Sequence, residues 1–145
     1  MNHADTDEGK QVTLETGSLT FGELDAVLNA LPVDISFVDA DDTVRYYNEP
    51  AGGRIFPRTK GVIGRKVQDC HPQKSVDKVE QILVDFRAGR RERAEFWIEL
   101  NGRLTFIRYF PVRDRAGDYL GCLEVTQDIT EIKRIEGEKR LLDEG

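Results

Sequence analysis

Cys70 and His71 are neighbouring residues with strongly ligating side chains. Imidazole and thiolate groups bind transition metals, and both serve as axial ligands to haem iron. Either residue is therefore a candidate haem ligand or half of a metal site. Two adjacent residues cannot complete a tetrahedral zinc site, and the sequence has no Cys-x-x-Cys motif. The structural alternative is that His71-Pro72 opens a helix while Cys70 packs as a small hydrophobic residue.

A catalytic set based on histidine has little support in the sequence. The chain contains two histidines, and His3 lies in a polar N-terminal stretch. No Ser-His-Asp arrangement is recognisable. A small α+β enzyme would have to rely on His71, with Asp34 or Glu95 as general base. No motif supports this hypothesis, which remains the rival to a binding module.

The overall composition narrows the functional class. The chain has 145 residues, 39% of them hydrophobic, which is enough for one domain with a buried core. A formal net charge of −6 argues against nucleic acid or an anionic membrane surface as a partner. Two distant cysteines fit a reducing compartment, and no apolar run approaches the ~20 residues that span a bilayer. The sequence thus predicts a cytoplasmic protein without nucleic-acid or membrane partners.

The hairpin between residues 95 and 110 is the strongest structural signal. Two alternating apolar runs are separated only by Asn101-Gly102, which favours a type I′ turn with positive φ at both central residues. The turn places Leu100 opposite Arg103. The face predicted to point toward the core carries Phe96, Ile98, Leu100, Thr105, Ile107 and Tyr109. The opposite face, which suits water or a partner chain, carries Glu95, Trp97, Phe106 and Arg108.

Two amphipathic helices are predicted beside this hairpin. The first begins at Thr20, which can form a capping box with Glu23, and it ends at Pro32. The second runs from Val76 to about Arg87, with Ser75 as its N-cap. Because the apolar face of the hairpin would otherwise stay exposed to water, the second helix is expected to lie on the sheet.

Three further strands and two terminal segments complete the prediction. The strands are Val33 to Asp39, Thr43 to Asn48 and Tyr119 to Asp128, with short helical turns over residues 49–72. Residues 1–18 are expected to be a flexible tail, and residues 19–129 the domain with its flanking helix. Residues 130–145 are expected to form a charged helix that is marginal alone and gains stability by pairing with a copy of itself or with the Thr20 helix. That segment is therefore assigned to signalling and dimerisation.

A ligand pocket is predicted between the sheet and the Val76 helix. Its expected lining residues are Ile35, Phe37, Val79, Ile82, Leu83, Phe96, Ile98, Thr105, Ile107, Tyr109, Leu123 and Val125. Because ligand pockets are largely apolar, these residues would form plain core if no cavity exists. The sequence leaves both interpretations open.

The order of these elements, together with several motifs, resembles a PAS domain, a sensory module of many prokaryotic signalling proteins. The motifs are Phe37-Val38-Asp39 with Val44-Arg45-Tyr46-Tyr47-Asn48, Val62-Ile63-Gly64-Arg65, His71-Pro72 and Asp128-Ile129-Thr130-Glu131. The resemblance covers about Thr20 to Leu142. It implies an α+β fold, in which helices cover one face of a five-stranded antiparallel sheet around a ligand cavity. Helices at the two termini would flank this domain.

The resemblance also carries expectations about function. It implies a cytoplasmic, non-enzymatic module of signal transduction that forms homodimers through its terminal helices and contacts a signalling partner. Asp128, Ile129 and Thr130 would connect the last strand to the exit helix, with Arg45 as a candidate partner of Asp128. A small apolar or planar ligand would occupy the cavity.

The cofactor is not identified by the resemblance. PAS haem sensors use a helix histidine, so His71 and Cys70 stay candidate haem ligands. Covalent flavin chemistry of the LOV kind is not expected, because that family has cysteine three residues after the glycine of a Gly-Arg-Asn-Cys run, where this chain has Val67 after Gly64.

A narrower similarity involves Leu31-Pro32-Val33-Asp34-Ile35-Ser36-Phe37-Val38-Asp39 and Asp69-Cys70-His71-Pro72. Both stretches are similar to the PAS segment that follows hemerythrin-like domains in an uncharacterised prokaryotic family. The present sequence contains no hemerythrin-like domain, so the iron chemistry of that domain is not carried over.

Overall fold

The structure is a computed structural model that describes residues 9–143, so His3 lies outside the described residues. In chain order the elements are β1 (Gln11–Leu14), β2 (Gly17–Thr20), α1 (Phe21–Ala30), β3 (Asp34–Asp39), β4 (Val44–Tyr47), α2 (Gln73–Arg87), β5 (Ala94–Leu100), β6 (Arg103–Arg113) and β7 (Tyr119–Asp128), with 3₁₀ turns at Lys60–Val62, Val67–Cys70 and Ile132–Arg134. The predicted α+β class is confirmed.

The centre of the domain is a five-stranded antiparallel sheet in the order β4-β3-β7-β6-β5. Its β5–β6 hairpin has the predicted register, with Leu100 opposite Arg103 and Phe96 opposite Ile107. Asn101 and Gly102 adopt φ values of 53° and 77°, as a type I′ turn requires. Local turn chemistry therefore sets which side chains share a face of this hairpin.

Helix α2 packs on β6 and β7 and closes the hydrophobic core on one side of the sheet. Leu83, Phe86 and Cys122 are buried at the centre of this core. Strand β5 extends beyond the helix, since Phe96 is 44% and Ile98 39% exposed on the same face. We call the side covered by α2 the inner face of the sheet, and the other side the outer face.

Helix α2 begins earlier than predicted. It starts at Gln73 rather than Val76, and no side chain caps it. The predicted N-cap, Ser75, lies in the first turn, where its hydroxyl donates to the Pro72 carbonyl oxygen at 3.2 Å. Proline before the first turn already has a φ value suited to helix entry, so the helix does not need a capping side chain to begin.

The prediction of a flexible tail over residues 1–18 is wrong for the part that the structure describes as strand. Strands β1 and β2 form a hairpin in which Val12 lies opposite Leu19. The hairpin leads into α1, whose predicted capping box is present: Glu23 N–H donates to Thr20 Oγ1 and Thr20 N–H donates to Glu23 Oε1. The turn at Glu15-Thr16 lacks the Asn-Gly type of signal, which is why the sequence pattern missed the hairpin.

The C-terminal helix predicted from residue 130 onward does not form. Over residues 130–143 the helical structure consists of the 3₁₀ turn Ile132–Arg134, and Gly137 has a positive φ of 64°. Ile135 is 72% and Leu142 85% exposed, so the described part of the chain covers little of these sparse apolar side chains. A segment with so few apolar residues lacks the packing that stabilises most protein helices.

None of the helices in the described part of the chain is long and apolar enough to cross a bilayer.

Candidate ligand-binding site

The space between the inner face and α2 contains two adjoining chambers. The outer chamber has a volume of about 840 Å³, and the inner chamber about 50 Å³. Ligand pockets commonly measure roughly 300–1,000 Å³, so the outer chamber has the volume of a small-molecule site. The walls shared by both chambers are Arg58, Cys70, His71, Val79, Ile82, Tyr109 and Glu124. The outer chamber is completed by Phe56, Pro72, Ser75, Lys78, Phe96, Ile98 and Ile107.

Most of the predicted lining residues on α2, β5 and β6 border these chambers. They are Val79, Ile82, Leu83, Phe96, Ile98, Ile107 and Tyr109. Thr105 lies on the same inner face but is 1% exposed and sits in the packed core below the chambers. The uncovered part of β5 therefore forms an apolar shelf, Phe96 and Ile98, at the open side of the outer chamber.

The predicted lining residues on β3 and β7 point the other way, which corrects the prediction. Ile35, Phe37, Leu123 and Val125 lie on the outer face, because their strand neighbours form the inner wall. The inner wall positions are Ser36, Val38, Cys122 and Glu124. Strand side chains alternate, so choosing the wrong parity for β3 and β7 placed all four of these residues on the wrong face.

A small polar cluster, Arg58, His71, Tyr109 and Glu124, lies where the chambers adjoin. Arg58 Nη2 donates to Glu124 Oε1 at 3.4 Å, and among the described residues this is its one hydrogen bond. Burial lowers the pKa of His71, so the imidazole is neutral near pH 7. Burial, followed by the nearby charge of Glu124, raises the pKa of Tyr109, which keeps its hydroxyl protonated.

The loop that carries Phe56 and Arg58 is held by buried polar groups of the sheet. Asp34 Oδ2 accepts from the backbone N–H groups of Ile55 and Phe56 at 2.7 and 3.3 Å. Arg54 Nη1 donates to the Asn48 carbonyl oxygen at 3.0 Å. Buried polar groups that are fully paired fix a backbone firmly, so this loop is a preformed wall of the outer chamber.

The residues of the rival enzyme hypothesis, His71 with Asp34 or Glu95, lie apart from each other. Asp34 is buried and its carboxylate binds the loop backbone, while Glu95 lies opposite Arg108 in the hairpin, on the outer face. Neither residue lines a chamber with His71. The structure does not bring the proposed base and the histidine together.

His71 and Cys70 both border the chambers, but no metal cluster surrounds them. Within the described residues there is no group of three or more His, Cys, Asp or Glu side chains that could hold a metal ion. Cys70 is exposed, and its Sγ lies 3.7 Å from the Lys66 carbonyl oxygen. Burial raises the pKa of Cys122 to about 12, so this thiol stays protonated.

The predicted signal-transfer residues form a compact joint at the end of β7. Asp128 Oδ1 accepts from the Thr130 hydroxyl at 2.6 Å and from its N–H at 3.0 Å, and Thr130 Oγ1 accepts from Leu104 N–H at 2.8 Å. The backbone N–H of Ile129 donates to the Leu104 carbonyl oxygen at 2.9 Å. Arg103 Nε donates to Asp128 Oδ2 at 2.7 Å.

The suggested pairing of Arg45 with Asp128 is wrong. Arg45 Nη1 contacts Asp39 at 3.3 Å, while Arg103 pairs with both Asp128 and Glu131. The Thr130 hydroxyl and then Arg103 lower the pKa of Asp128 to about 2. The joint therefore ties the exit segment to both β6 and β7.

The outer face carries an aromatic patch on β5 and β6. Trp97 is 63% exposed and meets the edge of Phe106 at 6.2 Å between ring centroids. The Arg108 guanidinium lies 4.8 Å from the Phe106 ring centroid and 5.8 Å from that of Phe110. This face therefore presents aromatic surface to solvent.

Sequence reasoning missed Arg58 and Glu124 as pocket residues. Glu124 looked like an outward polar residue between Leu123 and Val125, although the alternation of β7 was visible. Its neighbour Cys122, a residue type that is commonly buried, was a usable signal for the correct face. Arg58 follows Pro57 in an irregular loop, and no local pattern could have placed it.

Comparisons with known proteins agree with this geometry. The sequence model of a family described as "PAS domain" matches residues 24–130. A solved structure described as a C-terminal domain from Streptococcus mutans is 36% identical, with a TM-score of 0.82, and the match covers 90% of this chain and 100% of that one. No curated protein matches the chain.

More distant structures share the fold. A sensory box sensor histidine kinase from Vibrio cholerae is 15% identical with a TM-score of 0.53, and the match covers 74% of this chain and 89% of that one. The PAS domain of BvgS from Bordetella pertussis is 18% identical with a TM-score of 0.54, over 79% of this chain and 91% of that one.

Proposed function

Since this chain belongs to the PAS domain family, we propose that it is a sensory and interaction module that binds a small apolar or planar ligand between the sheet and α2. The observation that carries the proposal is the 840 Å³ outer chamber, whose apolar walls converge on the polar cluster. A few well-placed polar groups in an otherwise apolar cavity are typical of ligand sites. The role is binding rather than catalysis.

Ligand binding would reach the exit segment through β6 and β7. Tyr109 on β6 and Glu124 on β7 border the chambers, and both strands continue to the joint at Asp128 and Thr130. A ligand that prefers one arrangement of these strands shifts the population toward it. The joint would pass that shift to residues 130–143, and a signalling protein would be the partner that reads it.

The binding step can be tested with Nile red, an uncharged dye that becomes fluorescent in apolar sites. Val79 borders both chambers, whereas Val84 on the same helix is 48% exposed. Val79→Trp should fill the cavity and abolish dye binding, and Val84→Trp should retain it. Equal binding by the two variants would show that the dye does not enter these chambers.

The proposal includes homodimerisation through the terminal segments. Ile132, Ile135 and Leu142 are exposed in the single chain, and a second copy would give them a packing surface. Sedimentation of the full chain over a range of concentrations should show a dimer, with residues 130–143 gaining helix. Ile135→Asp should weaken the dimer, and a monomer at every concentration would contradict this part of the proposal.

Haem is a second candidate ligand, favoured by the neutral imidazole of His71 on the wall of a large apolar chamber. His71 would bind the iron through a ring nitrogen, and haem would supply gas or redox sensing. An absorption spectrum of freshly purified protein should then show a Soret band that His71→Ala removes or shifts. A featureless spectrum of protein prepared with haem would exclude this candidate.

Two further points belong to the proposal. A cytoplasmic location fits the two free thiols, Cys70 and Cys122. The narrower kinship with PAS segments that accompany hemerythrin-like domains is supported by the two sequence stretches named above. Fractionation of the native cell and identification of covalently linked or co-purifying domains would test these points.

A further inference from the structure

We propose that the natural ligand of the outer chamber is a singly charged anionic amphiphile, a carboxylate on an apolar body such as a medium-length acyl chain. This inference rests on the proposed ligand-binding function and names its chemical class. It depends on the charge of the chamber walls, the incomplete pairing of Arg58 and the position of the β5 shelf.

The charge of the outer chamber is opposite in sign to that of the chain. The charged side chains on its walls are Arg58, Lys78 and Glu124, which leave one excess positive charge. The whole chain has a formal net charge of −6. The excess comes from the exposed Lys78 at the edge of the chamber and the partly buried Arg58, and it favours a ligand with one negative charge.

Within the described residues Arg58 has one hydrogen-bond partner, so most of its donors are not bonded to protein groups. Its side chain is 29% exposed and meets Glu124 through a single long contact of 3.4 Å. A guanidinium has five N–H donors, and its fork matches a carboxylate in bidentate geometry. A ligand carboxylate would pair with the remaining donors of Arg58, whereas the protonated Tyr109 hydroxyl is already engaged with Glu124 at the same place.

The start of α2 adds potential of the same sign. Pro72 and Ser75 border the outer chamber, and the first turn of α2 has neither a capping side chain nor an acidic residue. No acidic side chain in the first turn therefore neutralises the partial positive charge of this helix end, which borders the outer chamber.

The apolar body has a matching surface. Phe96, Ile98 and Ile107 line one side of the outer chamber, and the first two are substantially exposed. A chain lying along these residues would remove them from water, which is favourable in proportion to the apolar area buried. The ligand would thus place its carboxylate at Arg58 and its apolar chain on the β5 shelf.

The experiment compares decanoate with 1-decanol and decylamine by isothermal titration calorimetry on the full chain. Decanoate is expected to bind at least about tenfold more tightly than decanol, because one charge-assisted hydrogen bond increases affinity by about that factor. Decylamine is expected to bind more weakly than decanol. Arg58→Ala should remove the preference for decanoate, and Arg93→Ala, which deletes an exposed positive charge outside the chambers, should leave it unchanged.

A second variant guards against a folding defect. Glu124→Gln removes the negative charge that faces the ligand head group, so it should tighten decanoate binding and leave decanol binding unchanged. Decanol that binds as well as decanoate, or an unchanged decanoate affinity in Arg58→Ala, would overturn this inference alone. Failure of all three probes to bind would overturn the ligand-binding function as well.

Discussion

Asn48 should be the most sensitive polar residue of the fold, and its replacement by alanine can be evaluated from the structure. The side chain is fully buried. Its Oδ1 accepts from Ile35 N–H at 2.8 Å and from Arg54 Nη1 at 3.2 Å, while its Nδ2 donates to the carbonyl oxygens of Leu28 at 2.9 Å and Val33 at 3.0 Å. At about 1 kcal/mol for each net hydrogen bond, Asn48→Ala should lower the free energy of unfolding by about 4 kcal/mol.

Such a loss is large for a single domain, whose total stability is roughly 5–15 kcal/mol. With about 2–4 °C of melting temperature for each kcal/mol, the midpoint should fall by roughly 8–16 °C. The change is measured by urea and thermal unfolding followed by circular dichroism. The slope of the urea transition should stay the same, because the variant exposes the same surface on unfolding.

Asn29→Ala is the matched control. Asn29 is partly exposed and accepts one hydrogen bond, from Glu49 N–H at 2.8 Å. The same chemical change there should cost only about 1 kcal/mol. Equal losses in the two variants, or a larger loss in Asn29→Ala, would refute the view that the Asn48 side chain joins α1, the sheet and the pocket loop.

Three further predictions concern the sheet, the exit joint and the pocket. Gly121→Ala should destabilise the protein by at least about 1–3 kcal/mol in urea unfolding, because a Cβ would lie 2.0 Å from the Val38 carbonyl oxygen, whereas Gly52→Ala, with open space, should be nearly neutral. The pKa of Asp128 is lowered from 3.8 to about 2, so the ionised carboxylate stabilises the folded protein fully above about pH 4 and no longer does so once the pH has fallen through about 2. The difference in unfolding free energy between the wild type and Asp128→Asn should therefore disappear as the pH is lowered over that range. Burial lowers the pKa of His71 from 6.5, so the free energy of unfolding should decrease as the pH falls below 6.5. In urea titrations at the same pH values, the free energy of unfolding of His71→Gln should decrease less. Identical pH profiles of the two proteins would contradict this prediction.

Local chemistry explains which features could be predicted from the sequence. The Asn101-Gly102 turn determined the register of β5 and β6, and the Thr20 capping box marked the start of α1, because both signals act within a few residues. The inward face of β5 and β6 and the pocket-facing residues of α2 followed from those elements.

The remaining errors involve contacts between distant parts of the chain. Asp34 and Ser36 are buried because they serve the loop over residues 54–56, and that requirement outweighs the hydrophobicity of Ile35 and Phe37. Arg58 reaches Glu124 from a loop with no periodic pattern. The helix expected after residue 130 does not form over residues 130–143, where the sparse apolar side chains stay exposed.

Because of its position, Trp97 can serve as an intrinsic fluorescence probe. It is the single tryptophan of the chain, and it lies on the outer face, on the opposite side of β5 from the shelf of the ligand chamber. Its emission should shift to shorter wavelength when another chain covers that face, and should respond little to a small molecule entering the chamber. Intrinsic fluorescence therefore distinguishes the covering of the outer face by another chain from ligand uptake, without any added label.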